Sequence, residues 1–357
     1  MAKPLTKQRR RNFRIYLEEA LELHPQDVVS RATAVFSVSR QTVNRHLNEL
    51  VSEGLVEAGG NTRARQYRLA VLGRFEKDFP LAGLDESEAW RWHAKSFFET
   101  AQGTAMQLGN FCFTEMLNNA IDHSEGTFAS ITIRRTVRSV RVEIRDDGVG
   151  VFKKIKDSLG LAEESHAVLE IAKGKFTTDP QHHSGMGIFF SSRACDRFTM
   201  TANGLIFNHF LTGQDILLDR MPVVPGTKVE MMFDLNAKGS LAALFKEYEG
   251  PNNPGFTKTI IPVQLAEYGE ENLISRSQAK RVLARVDHFK EVIWDFTGVP
   301  MIGQAFADEI FRVFLLANKD CHFLVSHAKP DVMAMIRLAI SSLKEQEPTA
   351  RPPEEIG

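Results

Sequence analysis

Four polar residues recur through an otherwise apolar segment near the middle of the chain. Glu115 and Asn119 are four residues apart, so on a helix they lie one turn apart on the same face, and Asp122 and His123 continue that face. An amide oxygen is a hard ligand of the kind that Mg²⁺ prefers, and a carboxylate one turn away can activate water or a hydroxyl group. We therefore predict an amphipathic helix with Glu115 as general base, Asn119 as metal ligand and Asp122 beside the same ligand. His123 is expected to pack or hydrogen-bond locally.

An acidic residue followed by two glycines comes next in the chain. Asp146 ends an alternating apolar segment, 140–144, that is typical of a strand, and Gly148 and Gly150 follow it. A carboxylate at a strand end can accept a proton from the adenine amino group, which favours adenine over guanine. Glycines allow the backbone to turn tightly and to approach a base without a Cβ clash. This pattern predicts a nucleotide-base site.

A second glycine pair, Gly185 and Gly187, opens an apolar, helix-like segment whose first amides are suited to hold phosphate. With these motifs in this order, residues from about 85 to 235 resemble the GHKL ATPases, the nucleotide-binding fold of gyrase, Hsp90, histidine kinases and MutL. The segment 115–123 matches the N box, 146–150 the first glycine box and 185–187 the second. A later Gly226-Thr227 pair is similar to the family's Gly-Thr.

The resemblance implies that the chain binds ATP with Mg²⁺. It implies that Thr227 supports the adenine-binding carboxylate, and that the segment around 174–183 is a lid over the phosphates, where Lys175 is a candidate phosphate ligand. His182 and His183 lack the spacing of a zinc site and are interpreted as polar lid residues. Asp147 stands where the family often has asparagine, and we expect no effect on the Asp146 contact.

The composition is that of an ordinary globular protein, with 43% hydrophobic and 25% charged residues in 357. No apolar segment approaches the roughly 20 residues that span a bilayer, and the basic N-terminus lacks the apolar region of a secretory signal. The three cysteines, Cys112, Cys195 and Cys321, have no metal-ligand spacing, and we expect Cys112 and Cys321 to be small core residues. A reducing cytoplasm is the expected location, with no membrane partner.

Basic residues concentrate at the N-terminus. Residues 1–70 carry a net charge of +5, which leaves −6 for the remainder. This segment predicts three helices, 11–23, 28–36 and a third that begins after a Ser39 N-cap, followed by a hairpin of strands 55–58 and 65–69. It resembles the winged helix-turn-helix of bacterial transcription regulators, in which the third helix enters the major groove and the wing contacts phosphates. DNA is therefore the expected partner, and the candidate contacts are Arg40, Gln41, Asn44, Arg45, Arg63 and Arg65.

The last third alternates strands and helices, which favours a small α/β layer domain. Its strands are predicted at 257–263, 291–295 and 321–325, the first of them at a sheet edge because Pro262 cannot donate to a ladder. The segment 292–299, followed by Ile302 and a helix, resembles STAS domains, the fold of anti-sigma-factor antagonists. Gln304 and Ala305 stand where antagonists carry the phosphorylated serine, which argues against a phosphoswitch and leaves Thr297 as a less favoured acceptor. We expect a docking or dimerisation module.

The fold expectation is a multidomain α+β protein: a winged helix (1–70), a GHKL α/β sandwich with its linker (71–250), a STAS-like domain (251–345) and a disordered tail (346–357). The favoured function is an ATP-binding, DNA-binding transcriptional regulator whose nucleotide state controls DNA or partner binding. A serine/threonine kinase of the anti-sigma-factor type is the alternative. A DNA-processing GHKL ATPase ranks third because no transducer domain follows. Whether ATP is hydrolysed, and whether the protein is a homodimer, stay open.

Overall fold

The computed structural model describes residues 7–60, 65–101, 104–175, 185–210, 215–218, 222–250, 253–266, 272–349 and 351–356. Within these ranges no helix is long and apolar enough to cross a membrane. The elements form three units, which we name the N-terminal, central and C-terminal units. The N-terminal unit has its own apolar core, whereas the other two share one continuous apolar cluster.

The N-terminal unit consists of three helices and a hairpin. Its helices are α1 (Lys7–Leu23), α2 (Val28–Phe36) and α3 (Arg40–Ser52), and its antiparallel strands are β1 (Val56–Gly59) and β2 (Gln66–Leu69). The Ser39 side chain accepts the amide of Thr42, so the predicted N-cap of α3 is confirmed. Val43, Leu47 and Leu50 are buried, which places the polar residues of α3 on its outer face.

The central unit is built on a seven-stranded antiparallel sheet with the strand order β3-β4-β5-β9-β6-β7-β8. Every second side chain of β4 is buried, as expected for strands with one face against a core. The strands are β3 (Gly73–Pro80), β4 (Phe128–Arg135), β5 (Ser139–Asp146), β6 (Arg197–Ala202), β7 (Leu205–Phe210), β8 (Asp215–Leu218) and β9 (Thr227–Asp234).

Helices cover one face of this sheet and position the polar residues singled out above. Helix α4 (Glu86–Ala89) continues through a π-helical turn and a short 3₁₀ turn to Phe98. The remaining helices are α5 (Ala105–His123), α6 (Val151–Leu159), α7 (Glu164–Lys173), α8 (Gly187–Ala194) and α9 (Leu241–Glu247). Helix α5 buries its apolar side against the sheet, and this leaves Glu115, Asn119 and His123 at a cleft.

The C-terminal unit is a four-stranded parallel sheet with helices. Strands β10 (Glu249–Gly250) and β11 (Asn253–Phe256) form a short hairpin before it. The sheet strands are β12 (Lys258–Pro262), β13 (Glu291–Asp295), β14 (His322–Ser326) and β15 (Glu354–Ile356), and the helices are α10 (Arg276–Leu283), α11 (Gln304–Asp308), α12 (Leu315–Ala317) and α13 (Pro330–Gln346).

Two expectations for the C-terminal unit have clear outcomes. Strand β12 lies at the sheet edge, as Pro262 predicts. The predicted disordered tail is wrong for residues 354–356, because β15 pairs in parallel with β14 and completes the sheet. The Pro/Glu-rich composition did not predict this strand, because the strand is stabilised by pairing with β14, which is distant in sequence.

Candidate nucleotide-binding site

A cleft of about 320 Å³ lies between α5, the end of β5, α6, α8 and the start of β9. Polar and apolar side chains line it in about equal measure, with polar groups converging on one concave space, as in small-molecule sites. Seven of the residues predicted from the sequence line it: Glu115, Asn119, Asp146, Gly150, Gly185, Gly187 and Thr227. The apolar lining includes Ile144, Ile155, Ile171, Met200 and Val229.

Asp146 ends β5 and is 6% exposed. The backbone amides of Gly148 and Thr227 both donate to its Oδ1 atom, at 2.9 and 3.1 Å. Among the described residues no hydrogen bond ends on Oδ2. Burial raises the pKa of this carboxyl, and the two amide bonds oppose that shift. The carboxylate is thus fixed through one oxygen, with the other available to a ligand.

Backbone proximity explains why glycines surround this carboxylate. Gly226 has φ +80°, and a Cβ on it would overlap the carbonyl oxygen of Asp146. A Cβ on Gly148 would overlap the carbonyl oxygen of Ser124 at the end of α5. Gly148 does not itself line the cleft. It allows the turn that carries Asp146 to pack against α5.

Thr227 joins the carboxylate to helix α6. Its amide donates to Asp146, while its hydroxyl oxygen accepts the amide of Val151 at 2.9 Å. Asn203, which the sequence reasoning missed, completes this corner: its side chain accepts the amide of Lys153 and donates to the carbonyl of Val149, both at 3.1 Å. No local pattern marks Asn203, because its partners lie about fifty residues away.

Asp147 points away from the cleft. Its carboxylate accepts the amides of Thr127 and Phe128 and the Thr127 hydroxyl, at 2.7 to 2.9 Å. These bonds lower the pKa of Asp147 to about 2. The substitution of the family's asparagine by Asp147 leaves the backbone bonds to Asp146 in place.

Glu115 and Asn119 face the cleft from α5, as their spacing predicts. The Glu115 carboxylate packs so closely against Gly187 that a Cβ there would overlap its Oε2 atom. Gly187 is the first residue of α8, so an acid and the positive end of a helix adjoin at one wall. Asp122, by contrast, is exposed on α5 outside the cleft lining.

Lys175 does not join the cleft residues. Its Nζ donates to the carbonyl of His288 at 2.8 Å and lies 4.6 Å from the centre of the Phe289 ring, both in the C-terminal unit. The Lys175 side chain is thus directed to the C-terminal unit in this structure, and its role as a phosphate ligand stays a prediction. Lys154 of α6 lines the cleft instead and pairs with Glu125. His182 and His183 lie outside the described residues.

The donor set fits a nucleotide with Mg²⁺ better than a protein-built metal site. Among the described residues there is no cluster of three or more histidine, cysteine or acidic side chains that could hold a metal ion. Asn119 offers one neutral oxygen, and Mg²⁺ commonly completes its octahedron with phosphate oxygens and waters. Mg²⁺ bound here would be held by Asn119 together with phosphate oxygens of the nucleotide and waters.

The candidate nucleic-acid contacts lie on the N-terminal unit. Arg40, Gln41, Asn44 and Arg45 are all exposed on α3. Arg65 is exposed before β2, with its guanidinium 5.3 Å from the centre of the Tyr67 ring. Arg63 lies outside the described residues.

Comparison with known families agrees with this geometry. A family model described as histidine kinase-, DNA gyrase B- and HSP90-like ATPase matches residues 110–236, which contain the cleft. A second family model, a STAS-like domain of unknown function (DUF4325), matches residues 278–333. No curated protein matches the chain. The protein thus contains a GHKL-type ATPase domain, which supports ATP binding, and a C-terminal STAS-like domain.

Proposed function

We propose that this protein is an ATP-binding, DNA-binding transcriptional regulator in which nucleotide occupancy controls DNA or partner binding. In this proposal residues 1–70 form a winged helix that reads DNA, 71–250 bind ATP and 251–345 form the STAS-like module. The exposed polar face of α3 and the basic character of the N-terminal unit support the DNA assignment.

One observation carries the link between the two activities. The Ser139 hydroxyl, at the first residue of β5, donates to Glu22 of α1 at 2.9 Å, and Arg141 pairs with the same carboxylate. Arg138, just before β5, lies 3.8 Å from Glu19. The same strand ends at Asp146 in the cleft. A single rigid strand therefore connects the proposed adenine ligand with the helix bundle that presents α3.

The roles proposed for the site residues follow from their positions. Asp146 reads the adenine amino group, and Asn119 holds Mg²⁺ beside the phosphates. The α8 amides that begin at Gly187 bind phosphate. Glu115 acts as general base toward water or a hydroxyl group. Its carboxylate adjoins the first residue of α8, so the proposed base lies beside the proposed phosphate-binding amides.

The direct test is a titration of the full chain against genomic DNA fragments, without nucleotide, with ADP and with a non-hydrolysable ATP analogue. A nucleotide-dependent change in DNA affinity supports the proposal, and indifference to nucleotide contradicts it. Asp146→Asn should remove the nucleotide dependence and keep basal DNA binding. The double variant Arg40→Ala/Arg45→Ala should lose DNA and keep nucleotide, since both arginines are remote in sequence and fold from the cleft.

Phosphate transfer to a separate protein is a second candidate function. The pairing of a GHKL-type domain with a STAS-like domain in one chain favours it. Helix α11 begins at Gln304 after Gly303, so no hydroxyl stands at the antagonist serine position. The Thr297 hydroxyl donates to Asp295 at 2.7 Å. Transfer of the γ-phosphate to a partner, with no DNA binding, would replace the regulator proposal.

A further inference from the structure

Charged side chains are buried where the central unit meets the C-terminal unit. Glu170 and Lys173, in the last turn of α7, are 2% and 0% exposed. Buried charges require partners, and these have them: Lys173 Nζ lies 2.6 Å from Glu170 and donates to the carbonyl of Ala284 at 2.9 Å. Arg285, just after α10, pairs with the other Glu170 oxygen at 2.9 Å. The network joins α7 firmly to the C-terminal unit.

The C-terminal unit also holds the backbone that follows α7. The Thr259 hydroxyl donates to the carbonyl of Lys173 at 2.8 Å, and Arg285 Nη2 donates to the carbonyl of Lys175. In return, the Lys175 ammonium donates to the carbonyl of His288. Residues on both sides of Gly174 are therefore bound by side chains or carbonyls of the C-terminal unit.

These held residues form one wall of the nucleotide cleft. Gly174 lines the cleft together with Ile171 and Phe189. A Cβ on Gly174 would lie 2.6 Å from Phe256 of the C-terminal unit and 2.9 Å from Phe189. Phe256 of the C-terminal unit thus packs directly against Gly174, so a displacement of Phe256 would act on this wall of the cleft.

The two residues that make the Arg285–Lys175 hydrogen bond both have a strained backbone conformation. Lys175 and Arg285 are non-glycine residues with φ of +54° and +61°, a left-handed conformation that costs free energy. Such conformations persist where surrounding contacts over-determine them, and they concentrate at functional sites. Here the two strained residues are hydrogen-bonded to each other across the two units.

We propose that Arg285 is a positioning residue for the nucleotide site, through which the STAS-like module fixes the Gly174 wall and so sets the affinity for ATP. The inference rests on the proposed ATP binding and adds its regulation. By linkage, any partner that binds the C-terminal unit and disturbs Arg285 must change ATP affinity, and ATP must change the stability of the Arg285 contacts by the same factor.

The first variant is Arg285→Gly in the full chain. Glycine accepts the left-handed backbone without strain, and Glu170 keeps Lys173 as partner, so the fold should survive. Arg285→Lys keeps a charge for Glu170 but cannot span both the carboxylate and the carbonyl of Lys175. Arg281→Ala is the matched control, because Arg281 lies in α10 four residues before Arg285 and its side chain contacts His166 of α7 at 2.9 Å, not Gly174 or Lys175.

The dissociation constant of Mg·ATP is measured by calorimetry for each variant. Couplings between protein sites commonly change affinity by roughly 5 to 150-fold, and we expect about a tenfold weaker affinity for Arg285→Gly and a smaller loss for Arg285→Lys. Arg281→Ala should stay within about twofold of the wild type. Equal affinities for wild type and Arg285→Gly overturn the inference while leaving ATP binding intact. A wild type that binds no ATP overturns both.

Hydrogen exchange supplies the reciprocal readout. In the wild type, ATP should slow amide exchange in residues 281–289, which do not line the cleft. In Arg285→Gly that slowing should be lost, whereas Arg281→Ala should retain it. A merely structural role for Arg285 would raise exchange equally with and without nucleotide, and that result would also overturn the inference.

Discussion

At the scale of single residues, the Asp146 carboxylate is oriented by backbone amides and not by side chains. Both amides bind Oδ1, one from the next turn of the chain and one from β9. Because backbone amides are always present and cannot rotate away, Oδ2 keeps its direction whatever the neighbouring side chains do. A ligand amino group would meet a pre-formed acceptor, which reduces the entropic cost of binding.

Asp146→Asn should weaken Mg·ATP binding by on the order of a hundredfold or more. An amide in place of the carboxylate loses a charge-assisted acceptor, a change of about 1.5–3 kcal/mol, and can present a donor to the adenine amino group. Asp147→Asn is the control, since that carboxylate is hydrogen-bonded to Thr127 and Phe128 outside the cleft. Calorimetry on both variants decides: equal affinity for Asp146→Asn and wild type would contradict the adenine assignment.

Glu115→Gln should leave ATP affinity within a few-fold and lower the turnover rate by roughly 10²- to 10⁴-fold. The amide keeps the shape that packs against Gly187 but cannot accept a proton as a base. Binding by calorimetry and phosphate release by a coupled assay separate the two effects. If the variant released phosphate at the wild-type rate, Glu115 would not be the base.

Sequence reasoning located most cleft residues because local spacing encodes them. Glu115 and Asn119 share a face through helix geometry alone, and Asp146 with Gly148 and Gly150 forms one turn. It did not indicate the hydrogen bond from Lys175 to His288, which lies more than a hundred residues away in sequence. Lys154 and Asn203 were missed for the converse reason, since each reaches the site through long-range packing that no short pattern reports.

At the scale of elements, periodicity and capping predicted the three helices and the hairpin of the N-terminal unit, helix α5, and strands β5, β12, β13 and β14. Ser39 caps α3, and Ser275 with Gln278 forms a capping box at α10. Strands β3 and β15 were not foreseen, because each is completed by a ladder with a distant strand. The helix predicted after Ile302 is present, but it passes through a π-helical turn at 309–314, which local propensity does not show.

Gly226→Ala should destabilise the central unit by roughly 2–5 kcal/mol, since it combines a left-handed backbone with overlap on the Asp146 carbonyl. Gly160→Ala is the matched control: its φ is +62°, but no atom lies within 4 Å of the added Cβ, so only the conformational cost of about 1–2 kcal/mol applies. Urea unfolding of both variants measures the difference. Equal losses would mean that the tight approach of β9 to Asp146 does not constrain the fold.

At the scale of the whole molecule, the central unit touches both of its neighbours through residues that lead to the cleft. The N-terminal unit meets β5 at Ser139 and Arg141, and the C-terminal unit meets α7 and Gly174. The cleft therefore lies between the residues that contact the proposed DNA-binding unit and those that contact the STAS-like module. Packed and hydrogen-bonded residues of this kind can transmit a nucleotide-dependent change between the N-terminal and C-terminal units.

Acid should destabilise the whole protein before its carboxylates titrate. Burial lowers the pKa of His209, and burial followed by the charge of Arg281 lowers the pKa of His166. Between these lowered values and the ordinary value near 6.5, the unfolded chain binds more protons than the folded one, so the free energy of unfolding falls as pH falls. Buried His209 should therefore contribute a loss of stability as the pH falls from 7.5 to 5.5.

His209→Asn tests this assignment, because the asparagine amide can replace the ring Nδ1 that lies 2.6 Å from Asp215 but cannot be protonated in this range. Urea unfolding at pH 7.5 and 5.5 should show a smaller acid-dependent loss in the variant than in the wild type. Burial raises the pKa values of Asp146 and Asp196, so their protonation in acid favours the folded state and opposes the effect of the histidines. This opposing effect occurs at lower pH, nearer to the range in which carboxyl groups ordinarily titrate. An unchanged pH dependence in His209→Asn would assign the acid sensitivity to other groups.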